Sequence, residues 1–280
     1  MPEARIATVA YLNTLPLIEG LDETAGITLE RVVPSRVVDR LTEGGDDIGL
    51  VSAIDLCRAG LVPLPVGMIG CEGPTMTVRL FSRVPLAEVE VLHADTDSHT
   101  SVALAQVLLD RLHGARPEVR DFDPRERAAE GAATAGDPEE SWPESVLLIG
   151  DKVVVGSPPA VRYPHQLDLG EAWHGLTALP FVYAIWACVA GREDDEAVRS
   201  AAVLLDRQRR RNAMRIDWIV SQRAPRMGWP GDLARQYVGD LLRYEVGPRE
   251  REGLEAFLGM AHDLGLCPEP TLAWPAESAT

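Results

Sequence analysis

Residues 89–114 read VEVLHADTDSHTSVALAQVLLDRLHG, and this stretch decides the fold. Val89–Ala94 is apolar enough, at the spacing of a strand, to lie in a sheet. From Ser98 to Gly114 the period changes. Val102, Leu104, Ala105, Leu108, Leu109 and Leu112 fall on one face of a helix, and Gly114 stops it. A strand, a polar turn and an amphipathic helix make one βα unit. Units of this kind, repeated, predict a parallel sheet covered by helices, an α/β fold.

The pattern recurs on both sides. Arg5–Tyr11 is apolar and β-branched, and Asn13 follows where a helix N-cap would stand, ahead of Leu15, Leu17, Ile18 and Leu21. Ile27–Pro34 alternates as a strand. Val37, Val38 and Leu41 have helical spacing and end at Gly44-Gly45. Ile48–Ala53 is a short apolar run of the kind that forms a buried parallel strand. Thr77–Val84, Val146–Ile149 and Phe181–Ala190 are further strands. Beyond them the periodicity predicts helices alone, over 194–222, 231–242 and 248–265, with no strand left to pair. The segment 125–145 has no apolar period and reads as a surface loop.

A chain of 280 residues suits two medium lobes. An economical topology gives lobe 1 residues 1–83 and 184–280, lobe 2 residues 84–183, and crossing strands near 78–84 and 181–187. Ligands of such sheets bind at the carboxyl ends of strands, here in a cleft between lobes. The net charge of −16 and pI near 4.8 argue against nucleic acid or an anionic membrane as partner. The first residues, MPEARIATVAYLNTLPL, lack the basic and apolar regions of a secretory signal, and the longest apolar run, Leu179–Ala190, is too short to span a bilayer. The expectation is a cytoplasmic protein. Four scattered cysteines and six histidines show no metal-ligand spacing, and no glycine-rich nucleotide loop is present, so no metal and no cofactor is expected. Of 27 basic residues, Lys152 is the only lysine, which reads as base-composition bias. Five arginines from Arg207 to Arg215 read as a solvated helix face.

Four polar turns stand where chemistry is expected. Asn13, in YLNTLPL at 11–17, either caps its helix or faces a ligand. Ser98, His99, Thr100 and Ser101 offer three hydroxyls at a helix N-terminus, either a plain cap or a cradle for a carboxylate. Gly150 and Asp151 follow the buried strand in LLIGDK at 147–152; Asp151 faces the ligand end, caps the next segment or pairs with Lys152. Thr77, in GPTMTV at 73–78, and Ser52, near the end of Ile48–Ala53, are either ordinary strand residues or ligand contacts.

In this order the motifs resemble the menaquinone-biosynthesis MqnA proteins, chorismate dehydratases. The matching stretches are YLNTLPL at 11–17, DIGLVSAIDL at 47–56, GPTMTVRLFSRVPL at 73–86, DSHTSVALAQVLL at 97–109, LLIGD at 147–151, DLGEAWHGLTALPFVYAIW at 168–186 and YEVGPREREGLEAFLGMAHDLGL at 244–266. The resemblance implies a two-lobed periplasmic-binding-protein-like fold of type II. It also implies chorismate as substrate, eliminated to 3-[(1-carboxyvinyl)oxy]benzoate without a cofactor. Asn13, Thr77 and Asp151 become catalytic residues, and Ser52, Ser98, His99, Thr100, Ser101 and Gly150 become substrate-binding ones. The family usually has glycine where Ala178 stands and serine where Thr77 stands, and its loop over 125–145 is shorter. Two alternatives share the fold. One is the dihydroxynaphthoate synthase of the same pathway, which opens on a serine-proline-rich motif rather than YLN. The other is a non-catalytic small-anion-binding protein.

Overall fold

The structure is a computed structural model that describes residues 3–123 and 142–275. The expected loop at 125–145 lies outside the described residues except for 142–145. The chain runs β1 (Ala4–Thr8), a 3-10 turn (Leu12–Thr14), α1 (Leu15–Ile18), β2 (Ile27–Arg31), α2 (Pro34–Thr42), β3 (Ile48–Ser52), α3 (Asp55–Arg58) and β4 (Leu61–Cys71). It continues through β5 (Val78–Ser82), β6 (Val91–Asp95), α4 (His99–His113), β7 (Glu118–Phe122), β8 (Ser145–Ile149), α5 (Asp151–Val155), β9 (His165–Asp168) and α6 (Leu169–Thr177). Then follow β10 (Phe181–Val189), α7 (Glu196–Ala213), α8 (Ile216–Arg223), α9 (Gly231–Arg235), a π-helical turn (Gln236–Leu241), β11 (Leu242–Arg243) and α10 (Pro248–Asp263).

Two compact units result, Met1–Glu72 with Leu179–Thr280, and Gly73–Ala178. Both boundaries differ from those read off the sequence, at 83/84 and 183/184, because hydrogen bonding assigns the crossing segments differently. β5 bonds to β8 and β9 and lies wholly in the second unit. β10 bonds to β3 and β4 and lies wholly in the first.

The first unit holds a six-stranded sheet in the order β11-β4-β10-β3-β1-β2. β1 runs parallel to β2 and β3, as the βα pattern predicts. β10 runs antiparallel to β3 and β4, so the sheet is mixed rather than parallel. β11 corrects the expectation of a purely helical tail, since Leu242 and Arg243 pair with Cys71 and Gly70. Ile6, Ile48, Phe181, Ile185 and Trp186 are buried from the sheet, and Leu254, Phe257 and Leu258 of α10 are buried with them. Phe181 meets Phe257 edge-on at 4.9 Å. The approach requires Gly253, where a Cβ would stand 2.1 Å from the Pro180 carbonyl oxygen.

The second unit holds five strands in the order β7-β6-β8-β5-β9. β6 is parallel to β7 and β8, and β5 is antiparallel to β8 and β9. The face of α4 read from the sequence is the buried one. Leu104, Ala105, Leu108 and Leu109 are all fully inside, while Leu112, assigned to the same face, is exposed near the helix end. Gly114 ends α4 at φ 65° and accepts the role of a left-handed C-cap.

Ala178 ends α6 in the same left-handed conformation, at φ 56° and ψ 16°. That region carries a steric penalty for any residue with a Cβ. The glycine usual in the resembling family therefore matches the backbone better than the alanine present. Ala178→Gly is expected to stabilise the protein by about 1 kcal/mol, read as a higher urea midpoint at unchanged slope. An unchanged or lower midpoint would show that the alanine is not strained.

Candidate active site

In the second unit the strand register gathers three of the four polar turns at one end of the sheet. Val78 pairs with Ile149, Arg79 with Asp168, and His93 with Val146. The start of β5 therefore lies beside the ends of β8 and β9, and the end of β6 lies at the same sheet end, across β8. Thr75–Thr77, Asp95–Ser101, Ile149–Lys152 and Asp168 all project from that end, where α/β sheets bind ligands.

Two buried carboxylates hold these turns. Asp168 caps α6 by accepting the N–H groups of Gly170 (3.1 Å) and Glu171 (3.2 Å). It also accepts from the Thr75 N–H and hydroxyl (3.0 Å each) and from the Met76 N–H (2.8 Å). Thr77 donates its N–H back to the Thr75 carbonyl (2.8 Å), with Met76 between them at φ 67°. This is a three-residue turn of the strained hand, and Asp168 is what over-determines it. Thr77, buried, is thereby fixed at the start of β5.

Asp95, the second carboxylate, is 1% exposed at the end of β6. It accepts from the Asp97 N–H (3.1 Å), the Ile149 N–H (3.2 Å) and the Lys152 ammonium (2.6 Å). Burial pushes its carboxyl above the usual carboxylate range, and Lys152 opposes that effect. Lys152 also bonds the Asp97 carboxylate at 2.7 Å. A pair between Asp151 and Lys152 is one of the alternatives that the sequence offers. The fold instead pairs Lys152 with Asp95 and Asp97 across some 55 residues of chain.

Gly150 occupies φ 71°, ψ −143°, a conformation open only to glycine, and donates its N–H to the Thr77 carbonyl (2.7 Å). Its amide is committed within the protein, and its place is to set Asp151 beside Thr77. Asp151 is half-buried at the first position of α5. Ser98 is the N-cap of α4: its hydroxyl accepts from the Ser101 N–H (3.3 Å) and the Ser101 hydroxyl (3.1 Å). Thr100 is fully buried, Ser101 nearly so, and His99 is exposed. Ser98 therefore caps α4.

In the first unit Asn13 is not an N-cap. Tyr11 takes that position, and Asn13 lies inside the 3-10 turn after β1. Its Nδ2 donates to the Tyr237 hydroxyl at 3.3 Å, and its Oδ1 is buried with no hydrogen-bond partner. Tyr237 belongs to the π-helical turn and stacks on Trp229, with ring centroids 5.3 Å apart and planes 3° apart. Thr14 anchors the turn through its hydroxyl to the Tyr11 carbonyl (2.7 Å). Ser52 is half-buried at the end of β3, opposite Ala184.

Sequence reasoning passed over Asp95, Asp168, Lys152 and Tyr237. Asp168 had a legible signal, since Asp-Leu-Gly-Glu at 168–171 is a helix-start pattern. Lys152 had one in being the chain's single lysine. Burial pushes the Cys188 thiol up to about 12 and the Cys57 thiol up to about 11, where little reactive thiolate forms. Among the described residues no group of three or more His, Cys, Asp or Glu is placed to hold a metal ion. No described helix is long and apolar enough to cross a membrane.

Two α/β units, each with a mixed sheet, and polar turns at the strand ends define the class, a periplasmic-binding-protein-like fold. The alkanesulfonate-binding protein of Xanthomonas axonopodis pv. citri, solved with MOPS, is similar at a TM-score of 0.65 and 14% identity, covering 96% of this chain and 95% of that one. The periplasmic aliphatic sulphonate-binding protein of Escherichia coli is similar at 0.60 and 13% identity, covering 100% and 96%. These likenesses concern the fold. Residues 4–263 match the family described as menaquinone biosynthesis, and the chain belongs to it. A relative from Thermus thermophilus, 29% identical over 272 residues, 91% of this chain and 93% of that protein, is named chorismate dehydratase.

The Asp168 latch yields a direct test. Asp168→Asn keeps one acceptor oxygen but turns an amide NH2 toward a backbone donor. A loss of about 1–3 kcal/mol is expected, read by chemical denaturation, with Asp168→Ala worse. Both variants within about 0.5 kcal/mol of the parent, the range of ordinary surface changes, would show that the turn holds without the latch.

Proposed function

We propose that this protein is a cytoplasmic chorismate dehydratase, removing water from chorismate to give 3-[(1-carboxyvinyl)oxy]benzoate on the futalosine route to menaquinone. The observation that carries the reading is 29% identity, along 91% of the chain, to a protein of that name, together with the chain's own membership of a menaquinone-biosynthesis family. The chemistry suits the side chains available. The C3 hydrogen of chorismate is vinylogous to the ring carboxylate, so binding that carboxylate stabilises its loss. The C4 hydroxyl then departs, combining with the proton released from C3 to leave as water, and the ring becomes aromatic. The step is redox-neutral and downhill, and it asks for orientation and charge stabilisation more than for a strong base.

In this reading the Ser98–Ser101 turn, with its helix N-terminus, receives a substrate carboxylate. Asn13 Oδ1, a buried acceptor that the protein leaves without a donor, accepts from the C4 hydroxyl and orients it. Thr77 supplies a further hydrogen bond that helps to fix the substrate. The enolpyruvyl carboxylate of the substrate, attached at C3, removes the C3 proton. A weak base held in near-attack geometry suffices for this.

Incubation with chorismate should give the ultraviolet spectrum of an aromatic product. Binding without turnover would identify a binding protein instead. Asn13→Ala should lose most of kcat. Tyr237→Phe, which strips Asn13 Nδ2 of its acceptor, should lower kcat about tenfold, about 1.4 kcal/mol of barrier, and His99→Ala should stay within that factor. Asp151→Asn decides the base. If it binds chorismate normally, has no turnover, and is restored by formate, Asp151 takes the proton and the substrate-assisted step is wrong.

A further inference from the structure

Of 27 basic residues in this chain, all but one are arginine. The exception, Lys152, is also the cation that joins two of the turns described above. Its ammonium lies 2.5 and 2.6 Å from the two oxygens of Asp95 and 2.7 Å from Asp97. Asp95 in turn holds the Ile149 and Asp97 amides. One ion triad therefore ties the end of β6, the end of β8 and the first turn of α5 together. Asp97 immediately precedes Ser98, and Lys152 immediately follows Asp151. The triad is flanked on both sides by side chains assigned to the substrate.

Stability alone is a weak reason for such an arrangement. Two carboxylates and one ammonium, mostly withdrawn from water, lose much of their attraction to desolvation, and apolar replacements of buried ion groups are often neutral or better. Arginine, which the chain uses everywhere else, is a planar fork with a fixed spread of donors. An ammonium is compact and can point three donors at converging acceptors. The three short contacts here converge on one nitrogen.

We propose that Lys152 is a positioning residue for the dehydration, setting the Ser98–Ser101 turn and the Asp151 carboxylate in register with each other. The proposal rests on the chorismate reading given above. It assigns Lys152 no proton transfer and no contact with substrate.

A single lysine makes the test clean. Protein grown on lysine labelled with nitrogen-15 at Nζ gives one side-chain ammonium resonance, which should move on addition of 3-[(1-carboxyvinyl)oxy]benzoate. Lys152→Met and Lys152→Arg, each with native circular dichroism, should lose at least tenfold in kcat/KM toward chorismate. The arginine variant matters most, because it keeps the charge and any purely electrostatic tie. A folded Lys152→Arg that loses less than tenfold overturns the proposal, and so does a resonance that saturating product leaves in place. If the methionine variant does not fold, the arginine variant and the resonance decide. A parent protein that binds chorismate without turning it over overturns the functional reading alone; the proposal is then judged by whether chorismate moves the resonance. A parent that does neither overturns both.

Discussion

Backbone amides in a turn at the end of a sheet have no ladder partner, and buried ones must find an acceptor. In the second unit two carboxylates meet that need. Asp168 takes five hydrogen bonds and ties the start of β5 to the start of α6. Asp95 takes the amides of Asp97 and Ile149 and ties β6 to β8. Candidate side chains project from between these ties: Thr77 after the first, Ser98 and Asp151 around the second. Their placement is a consequence of where the carboxylates sit. In the first unit Asn13 is held without charge, by the hydroxyl of a stacked tyrosine.

The parts of this fold that follow local rules were legible in the sequence. Amphipathic α4, the buried strands β1, β3 and β8, and the polar turns between strands and helices follow from side-chain period and capping chemistry. What escaped depends on partners far along the chain. β4 was not recognised because Pro63 and Pro65 argue against a strand interior. They are tolerated because β11 pairs only with Gly70 and Cys71, leaving the proline-bearing half outside that ladder. The direction of β10 has no local signature at all, since an apolar strand reads the same in a parallel or an antiparallel place. Asn13 looked like a cap because asparagine is a good one. Its actual acceptor, Tyr237, is 224 residues away.

Strain follows the same geography. Among the described residues, two that are not glycine have positive φ, Met76 and Ala178. One lies just after the chain enters the second unit and the other just before it leaves. Met76 is held by a hydrogen bond from its own amide to Asp168, and the turn it makes fixes Thr77. Ala178 closes α6, whose first turn Asp168 caps. Asp168 therefore holds one strained residue directly and caps the helix that ends at the other. Sub-optimal backbone persists where surrounding structure over-determines it, and here the determinant can be named.

On the proposed reading, a protein of net charge −16 binds an anionic substrate against its own field. More cations would be the obvious remedy, yet the candidate turns offer hydroxyls, amides and a helix N-terminus. These donors need no counter-ion, carry little desolvation penalty compared with an ammonium, and are directional. Lys152 is spent on Asp95 and Asp97 rather than on a ligand. That use offsets one of the two carboxylate charges on the turn that leads into Ser98. Neutral donors then act at short range, where direction counts for more than the bulk field, which salt screens beyond about 8–10 Å. In the proposed reaction the driving force lies in aromatisation of the substrate, so selectivity of orientation is the larger requirement, and that is what directional neutral donors would supply.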